Sequence, residues 1–364
     1  MDTDADRAWM ARAIELAERG LRTTTPNPRV GCVLVRDGAL VGEGWHVRPG
    51  GSHAEVAALD DARARGRDPA GATAYVSLEP CNHTGRTPPC ADALIRARVA
   101  RVVCAMRDPH ALAAGGVERL RAAGIAVDVG VMAHEARELN VGFVSRVTRG
   151  RPWVRTKLAA SLDGRTALAN GTSRWITGPE ARADGHGWRA RACAILTGIG
   201  TVRADAPQLT VRAIDVERQP LRVVVDRHAQ TPPAARVLAG GALVVTAGAS
   251  NPDWPDGVEV LPLPDGDGRV DLGALMRALG ARGVNELHVE AGARLNGALL
   301  DAGLIDEVLL YVAPDVIGDP ARGLFTRPAP LAALDGITRC AWERIDRVGR
   351  DLRILLRVER EEDR

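Results

Sequence analysis

Three separate stretches of the chain have to meet if any of them is to do chemistry: Ser52-His53-Ala54-Glu55, Glu79-Pro80-Cys81 and Pro88-Pro89-Cys90. One imidazole and two thiolates give a zinc ion three ligands and leave a fourth position open, which marks a catalytic site rather than a structural one. The local patterns fit such a meeting. Residues 52–65 read as a helix, Thr73 to Leu78 as a strand, and Cys90 to Ala97 as a helix behind a proline pair suited to a first turn. A helix start also favours thiolate over thiol, which supports Cys90 as a ligand. Ser-x-x-Glu has a second reading as a capping box, with Glu55 reaching back to Ser52. A cap at Ser52 would fix the helix start that aims His53, but Glu55 cannot serve both ends, and we assign it to the protons of the metal's water. Other readings are a structural zinc, two unrelated buried thiols, or His83 as a rival ligand.

The rest of the chain alternates helices and strands. Helices are expected over residues 5–20, 116–123 and 133–146, and strands over 30–35, 39–45, 99–106 and 125–129, with Asp37-Gly38 as a hairpin turn. That order predicts a three-layer α/β sandwich whose sheet is mostly parallel beyond the first hairpin. Thr148 to Pro152 is the expected linker, separating domains at 1–147 and 152–360. The second domain repeats an α/β pattern, with strands at 153–158, 192–197, 221–226, 242–247, 286–290 and 307–312, and helices at 271–282 and 294–302.

Composition narrows the class. The 364 residues carry a net charge of +2, which argues against a general nucleic-acid binder. No apolar run is long enough to span a membrane, and the acidic start Met1 to Asp6 lacks the regions of a signal peptide, so a cytoplasmic location is expected. The six cysteines are too sparse for a disulfide framework; Cys32, Cys104 and Cys193 read as small buried hydrophobes, and Cys340 has no assignment. Lys157 is the only lysine among 48 basic residues. A lysine kept against that bias marks a position where arginine's planar fork would not serve.

His-x-Glu followed by Pro-Cys is the arrangement of zinc deaminases, although Asn82 to Pro89 make the intercysteine loop longer than Pro-Cys-x-x-Cys. In the second domain, Leu287 to Gly297 gives a strand, a glycine turn and a helix start suited to phosphate, but no Gly-x-Gly-x-x-Gly fingerprint; Gly198-Ile199-Gly200-Thr201 is a second such turn. Each turn read alone is a tight turn as readily as a ligand site.

Taken together, TPNPRVGCVLV, HAEVAAL, AYVSLEPCNHTGRTPPC, KLAASLDGRTA, SRWITG, GIGTVRADAPQLTVR and HVEAGARLNGALL closely resemble the bifunctional riboflavin-biosynthesis deaminase/reductase family over nearly the whole chain. The resemblance implies a cytidine-deaminase-like sandwich followed by a dihydrofolate-reductase-like α/β domain. It implies Zn2+ on His53, Cys81 and Cys90, Glu55 as catalytic acid/base, and Asn27 and His46 facing the pyrimidine. For the reductase it implies NADPH, with cofactor contacts at Ala159, Trp175, Thr201, Asp205, Arg227 and the turn Gly292, Ala293, Arg294, Leu295, Asn296, Gly297 and Ala298. Implied substrate contacts are Ser173, Arg189, Leu209, Arg212 and Glu290, the two arginines as phosphate clamps, while Lys157 and Glu290 are candidates for the polar work of reduction. Each arginine is also readable as a solvated surface charge, and Lys157 as a strand-end surface lysine. The expected reactions are deamination of 2,5-diamino-6-ribosylamino-4(3H)-pyrimidinone 5′-phosphate and NADPH-dependent reduction of the resulting uracil, in a homodimer joined through the reductase domains. Asp108-Pro109-His110-Ala111 and the short run to Gly116 depart from the family pattern, which puts ribose-phosphate contacts there in question. The rival functions are a tRNA-type deaminase, a zinc-stapled module without activity, and a chain with one defunct site.

Overall fold

The structure is a computed structural model describing residues 3–84, 88–318 and 320–360; residues 85–87 of the intercysteine loop lie outside the described residues. The chain divides into two units, Met1–Gly150 and Arg151–Arg364.

The first unit runs α1 (Asp4–Glu18), β1 (Gly31–Arg36), β2 (Ala39–Trp45), α2 (Ala54–Ala64), β3 (Thr73–Val76), α3 (Cys90–Arg96), β4 (Arg101–Cys104), α4 (Gly116–Ala122), β5 (Ala126–Val129), α5 (Ala133–Leu139) and α6 (Val141–Arg149). Its sheet is ordered β2-β1-β3-β4-β5. β1 is antiparallel to both neighbours, and β3, β4 and β5 are parallel. Strand alternation sorts the core onto two faces. Cys32 and Leu34 pack with residues of α2, α3 and α4, whereas Val33 and Val35 pack with α1 and α5. The expected three layers follow, with Cys32 and Cys104 as core side chains. Asp37 and Gly38 both take positive φ, as a two-residue hairpin turn requires.

Residues 133–146 differ from the single helix expected. The helix breaks at Asn140, whose Oδ1 accepts the Arg29 N–H at 2.8 Å and whose Nδ2 donates to the Arg29 carbonyl at 2.9 Å. An asparagine that satisfies a distant backbone pair is pulled out of helical geometry. α6 then continues through Arg149 and ends at Gly150, with φ 67°, so the expected linker begins inside a helix.

The second unit runs β6 (Trp153–Ser161), α7 (Pro179–Arg191), β7 (Ala194–Gly198), α8 (Ile199–Asp205), β8 (Leu221–Val225), β9 (Ala242–Thr246), β10 (Val258–Pro262), α9 (Leu272–Ala281), β11 (Glu286–Val289), α10 (Ala293–Asp301), β12 (Glu307–Ala313), β13 (Cys340–Val348) and β14 (Asp351–Val358). The sheet order is β10-β9-β8-β7-β11-β6-β12-β14-β13, parallel from β10 to β12 and antiparallel through the last two strands. α9 and α10 cover one face; α7 and α8 cover the other. α7 was not expected from the sequence because the residues it buries, Ala181, Gly185 and Ala190, are too small to make an apolar stripe. Among the described residues, no helix is long and apolar enough to cross a membrane.

Candidate functional site

In the first unit, the strand end after β3 and the starts of α2 and α3 bring His53, Cys81 and Cys90 together, with ligand atoms all within 4.8 Å of one another. His53 Nδ1 lies 3.2 Å from Cys90 Sγ and 3.6 Å from Cys81 Sγ. Tetrahedral zinc, with arms of about 2.0 Å to nitrogen and 2.3 Å to sulfur, separates two such ligands by about 3.5 Å. The donor set therefore fits zinc. His83 is exposed and outside the cluster.

Two local expectations change. His53, not Ser52, occupies the N-cap of α2, and it makes no side-chain cap. The Ser52 carbonyl instead accepts Nδ1–H of His46 at 3.0 Å. Capping by Ser52 is lost because that residue is one position too far out. The start of α3 also favours the other thiolate: the Cys90 N–H donates to Cys81 Sγ at 3.4 Å. Cys81 is pulled down by the Cys90 thiol and by His53, and Cys90 is raised, chiefly through Cys81. His53 is raised, chiefly through Cys81.

Glu55, in the first turn of α2, is 3 % exposed. Burial, then the Cys81 charge, push its carboxyl up to about 7. A group poised near neutrality is suited to giving and taking protons. Asn27 and His46 are drawn to the same place. Nδ1 of His46 must carry the hydrogen it gives Ser52, so Nε2 accepts from Asn27 Nδ2 at 3.0 Å. The His46 and His53 rings meet edge to face with centroids 5.4 Å apart.

Sequence reasoning missed Glu79. Its buried carboxylate accepts the N–H groups of Asp108, Gly115 and Val117 at 3.0–3.1 Å, fastening the unusual 108–116 segment to the loop that carries Cys81. Gly116 lies so close that a Cβ there would stand 1.7 Å from the Pro80 carbonyl oxygen. The Glu-Pro-Cys run was the available signal.

In the second unit, candidate residues gather at the C-terminal ends of β6, β7 and β11, where open parallel sheets place ligands. Lys157 and Glu290 project from β6 and just beyond β11. Arg189, on α7, grips Glu290 through two hydrogen bonds of 2.5 and 2.8 Å and donates to the Thr210 carbonyl at 3.2 Å. Arg189 is thus committed to a carboxylate here rather than left open as an anion clamp. Arg212 donates to Thr210 Oγ1 at 3.0 Å, and its N–H donates to His186 Nδ1 at 3.3 Å. Desolvation, then Arg189 and Arg236, lower the Arg212 pKa. Burial lowers Lys157, partly countered by Glu290; Arg189 holds Glu290 well below the usual carboxylate range despite its burial.

The two glycine turns are neighbours. A Cβ on Gly292 would stand 3.8 Å from Thr201 Oγ1, so the starts of α8 and α10 lie side by side. Asn296 donates to the Ala291 carbonyl at 3.0 Å, while its buried Oδ1 has no partner, an orphaned acceptor that fits a turn built to hold a dinucleotide. Gly297 has a packing reason: a Cβ would stand 1.9 Å from the Thr326 carbonyl oxygen. Ala293, Arg294, Leu295 and Ala298 belong to α10 itself, and Ala159 is half-buried on β6. Trp175 is 70 % exposed under the Arg182 guanidinium, 4.5 Å away, and Ser173 lies on the same segment. The Asp205 carbonyl accepts from Arg174. Leu209 is a buried core side chain with φ 53°, so a ligand contact there runs through its backbone. Arg227 is exposed after β8 beside Gly268, outside the Lys157 group.

Comparison with known proteins agrees over both units. Residues 3–106 match the cytidine and deoxycytidylate deaminase zinc-binding region, and residues 152–354 match the RibD C-terminal domain. The riboflavin biosynthesis protein RibD of Escherichia coli is 48% identical over 95% of this chain and 98% of its own; that of Aquifex aeolicus is 39% identical over 98% and 99%. The structure of Acinetobacter baumannii RibD superposes with a TM-score of 0.90 at 44% identity, covering 98% of this chain and 99% of that one. A Thermotoga maritima diaminohydroxyphosphoribosylaminopyrimidine deaminase/5-amino-6-(5-phosphoribosylamino)uracil reductase gives 0.89 at 34% identity, covering 97% and 99%. On these grounds the chain belongs to the RibD family of riboflavin-biosynthesis proteins.

Proposed function

We propose that the first unit hydrolytically deaminates 2,5-diamino-6-ribosylamino-4(3H)-pyrimidinone 5′-phosphate and the second reduces the resulting 5-amino-6-(5-phosphoribosylamino)uracil with NADPH. The observation that carries this reading is the meeting of His53, Cys81 and Cys90 beside a buried Glu55. Zinc held by those three residues supplies an activated water at neutral pH. Glu55 takes a proton from the attacking water and passes it to the departing amine, so ammonia leaves neutral. Asn27, oriented through His46, presents its remaining amide groups to the pyrimidine.

NADPH would be held by the α8 and α10 turns, with Trp175, Asp205 and Arg227 as further contacts, and would supply hydride. Net reduction adds that hydride to C1′ and a proton to the oxygen released from it. Lys157, its pKa lowered by burial and partly restored by the Glu290 charge, is the proton donor. Ser173, Arg189, Leu209 and Arg212 surround the phosphoribosyl group. The test is zinc-loaded enzyme with the diamino substrate, with and without NADPH. Ammonia is expected without NADPH, followed by NADPH consumption on its addition; no consumption overturns the reductase half.

The same reading includes a homodimer. Leu310 and Val312 of β12, Leu352 and Ile354 of β14, and Trp342 and Ile345 of β13 lie on the face opposite α7, where Trp342 and Ile345 are exposed. An apolar sheet face of this kind supports pairing with a second copy. Sedimentation should give twice the chain mass, falling to one chain in Ile345→Asp. All six cysteines are free, which supports a reducing, cytoplasmic location.

A further inference from the structure

His288 lies beneath the reductase site and has no role in the reaction as described. On β11, Glu286, His288 and Glu290 alternate with the core residues Leu287 and Val289, so the three polar side chains share a face. His288 is fully buried, and neither ring nitrogen makes a hydrogen bond of good geometry. Its Nε2 stands 3.4 Å from Glu290 Oε1, the oxygen that Arg189 Nε already holds at 2.5 Å. An imidazole left without partners in a core is costly, and here it faces a carboxylate whose bonds are taken by another residue.

We infer that His288 is a positioning residue that takes over Glu290 when the substrate phosphate draws Arg189 away, and that phosphate binding is therefore accompanied by proton uptake at His288. The inference rests on the reading of Arg189 as a phosphate contact. It resolves how one guanidinium can be paired with Glu290 in the free protein and serve an anion in the complex. The charged and titratable groups on the same face are Arg155 and Lys157 of β6, Glu286 and Glu290 of β11, Asp184, His186, Arg189 and Arg191 of α7, Glu307 and Tyr311 of β12, and Arg353 of β14. In the free protein, burial holds the imidazole below its ordinary range despite Glu290, with Arg155 and Arg189 adding to the effect, so it is neutral at pH 7. Once Arg189 turns to phosphate, Glu290 faces His288 without its cation, and the imidazole binds a proton from the solvent. Between the free and bound values, affinity falls as pH rises, up to tenfold per pH unit for one proton.

The test is calorimetric titration of the full chain with D-ribose 5-phosphate at pH 7.5, in buffers of different ionisation enthalpy. At that pH the ligand is already mostly dianionic, its second pKa being about 6. Wild type should take up a substantial fraction of one proton. His288→Leu, which removes an unpartnered buried polar group and so preserves the fold, should take up almost none and bind several-fold more weakly. His288→Gln, able to donate to Glu290 but not to protonate, should recover affinity without recovering uptake. Equal uptake in wild type and His288→Leu overturns the proposal. Binding that is unchanged in Arg189→Met overturns the phosphate contact itself, and with it the exchange. Arg189-dependent binding with no His288-dependent uptake leaves that contact standing and sinks only the role of His288.

Discussion

Replacing Glu55 by glutamine keeps the shape of the side chain and removes its ability to exchange a proton. In its pocket the carboxyl rises from an ordinary 4.5 to about 7. At roughly 1.4 kcal/mol per pKa unit, ionising it there costs about 3 kcal/mol in the metal-free protein. Because the folded state holds the proton more tightly than the unfolded state, this group's stabilising effect is complete below 4.5. It is lost as pH rises to 7 and stays flat above that. Chelated wild type should therefore lose about 3 kcal/mol of local stability between pH 4.5 and 7, read by amide hydrogen exchange in α2 and β3, and Glu55→Gln should not. With zinc restored, the variant should release ammonia roughly 10²- to 10⁴-fold more slowly while oxidising NADPH normally when given the deaminated compound. Ammonia release within tenfold of wild type would refute Glu55 as the proton carrier. An unchanged pH dependence of exchange would refute it as the buried titrating group.

Lys157→Met should lower NADPH oxidation roughly 10²- to 10⁴-fold and leave ammonia release intact. Lys157→Arg should fare no better, because a guanidinium does not release its proton near pH 7. Gly116→Ala drives a methyl into the Pro80 carbonyl; bound zinc, measured by metal analysis, should fall together with ammonia release, with reductase activity unchanged. Arg155→Met strands Glu307, a buried partner of that guanidinium, and leaves its other partner, Glu286, to Arg191. It should cost roughly 3–5 kcal/mol in exchange protection of β6 and β12, and Arg155→Met with Glu307→Gln should recover part of that.

The metal site was legible because its ligands sit at element boundaries that the chain marks clearly: a strand ending at Glu79-Pro80, a proline pair before Cys90, a helix behind His53. The cap was misread because Ser-x-x-Glu fixes spacing and not which residue turns first. Asn140 broke a helix through bonds to Arg29, more than a hundred residues away, which local periodicity cannot register. α7 escaped notice since glycine and alanine, not large apolar residues, meet its sheet, although Pro179 at its start and arginines at its end were signals of a helix. With α7 unread, the pairing of Arg189 with Glu290, and His186 and His288 with it, had no place to be seen.

β6 has consequences for the order in which the second unit can form. Its neighbours are β11 and β12, so Lys157 lies between strands that leave the ribosome more than a hundred residues after it. This interior strand of the reductase sheet has no neighbour until Val289 has been made, and is flanked on both sides only once Ala313 has been made. Contacts of such long sequence separation are slow to close, whereas the first unit has all five strands of its sheet by Val129. Deaminase competence on a nascent chain should therefore precede reductase competence by the synthesis of the whole second sheet, and the interval is when β6 depends most on protection from aggregation.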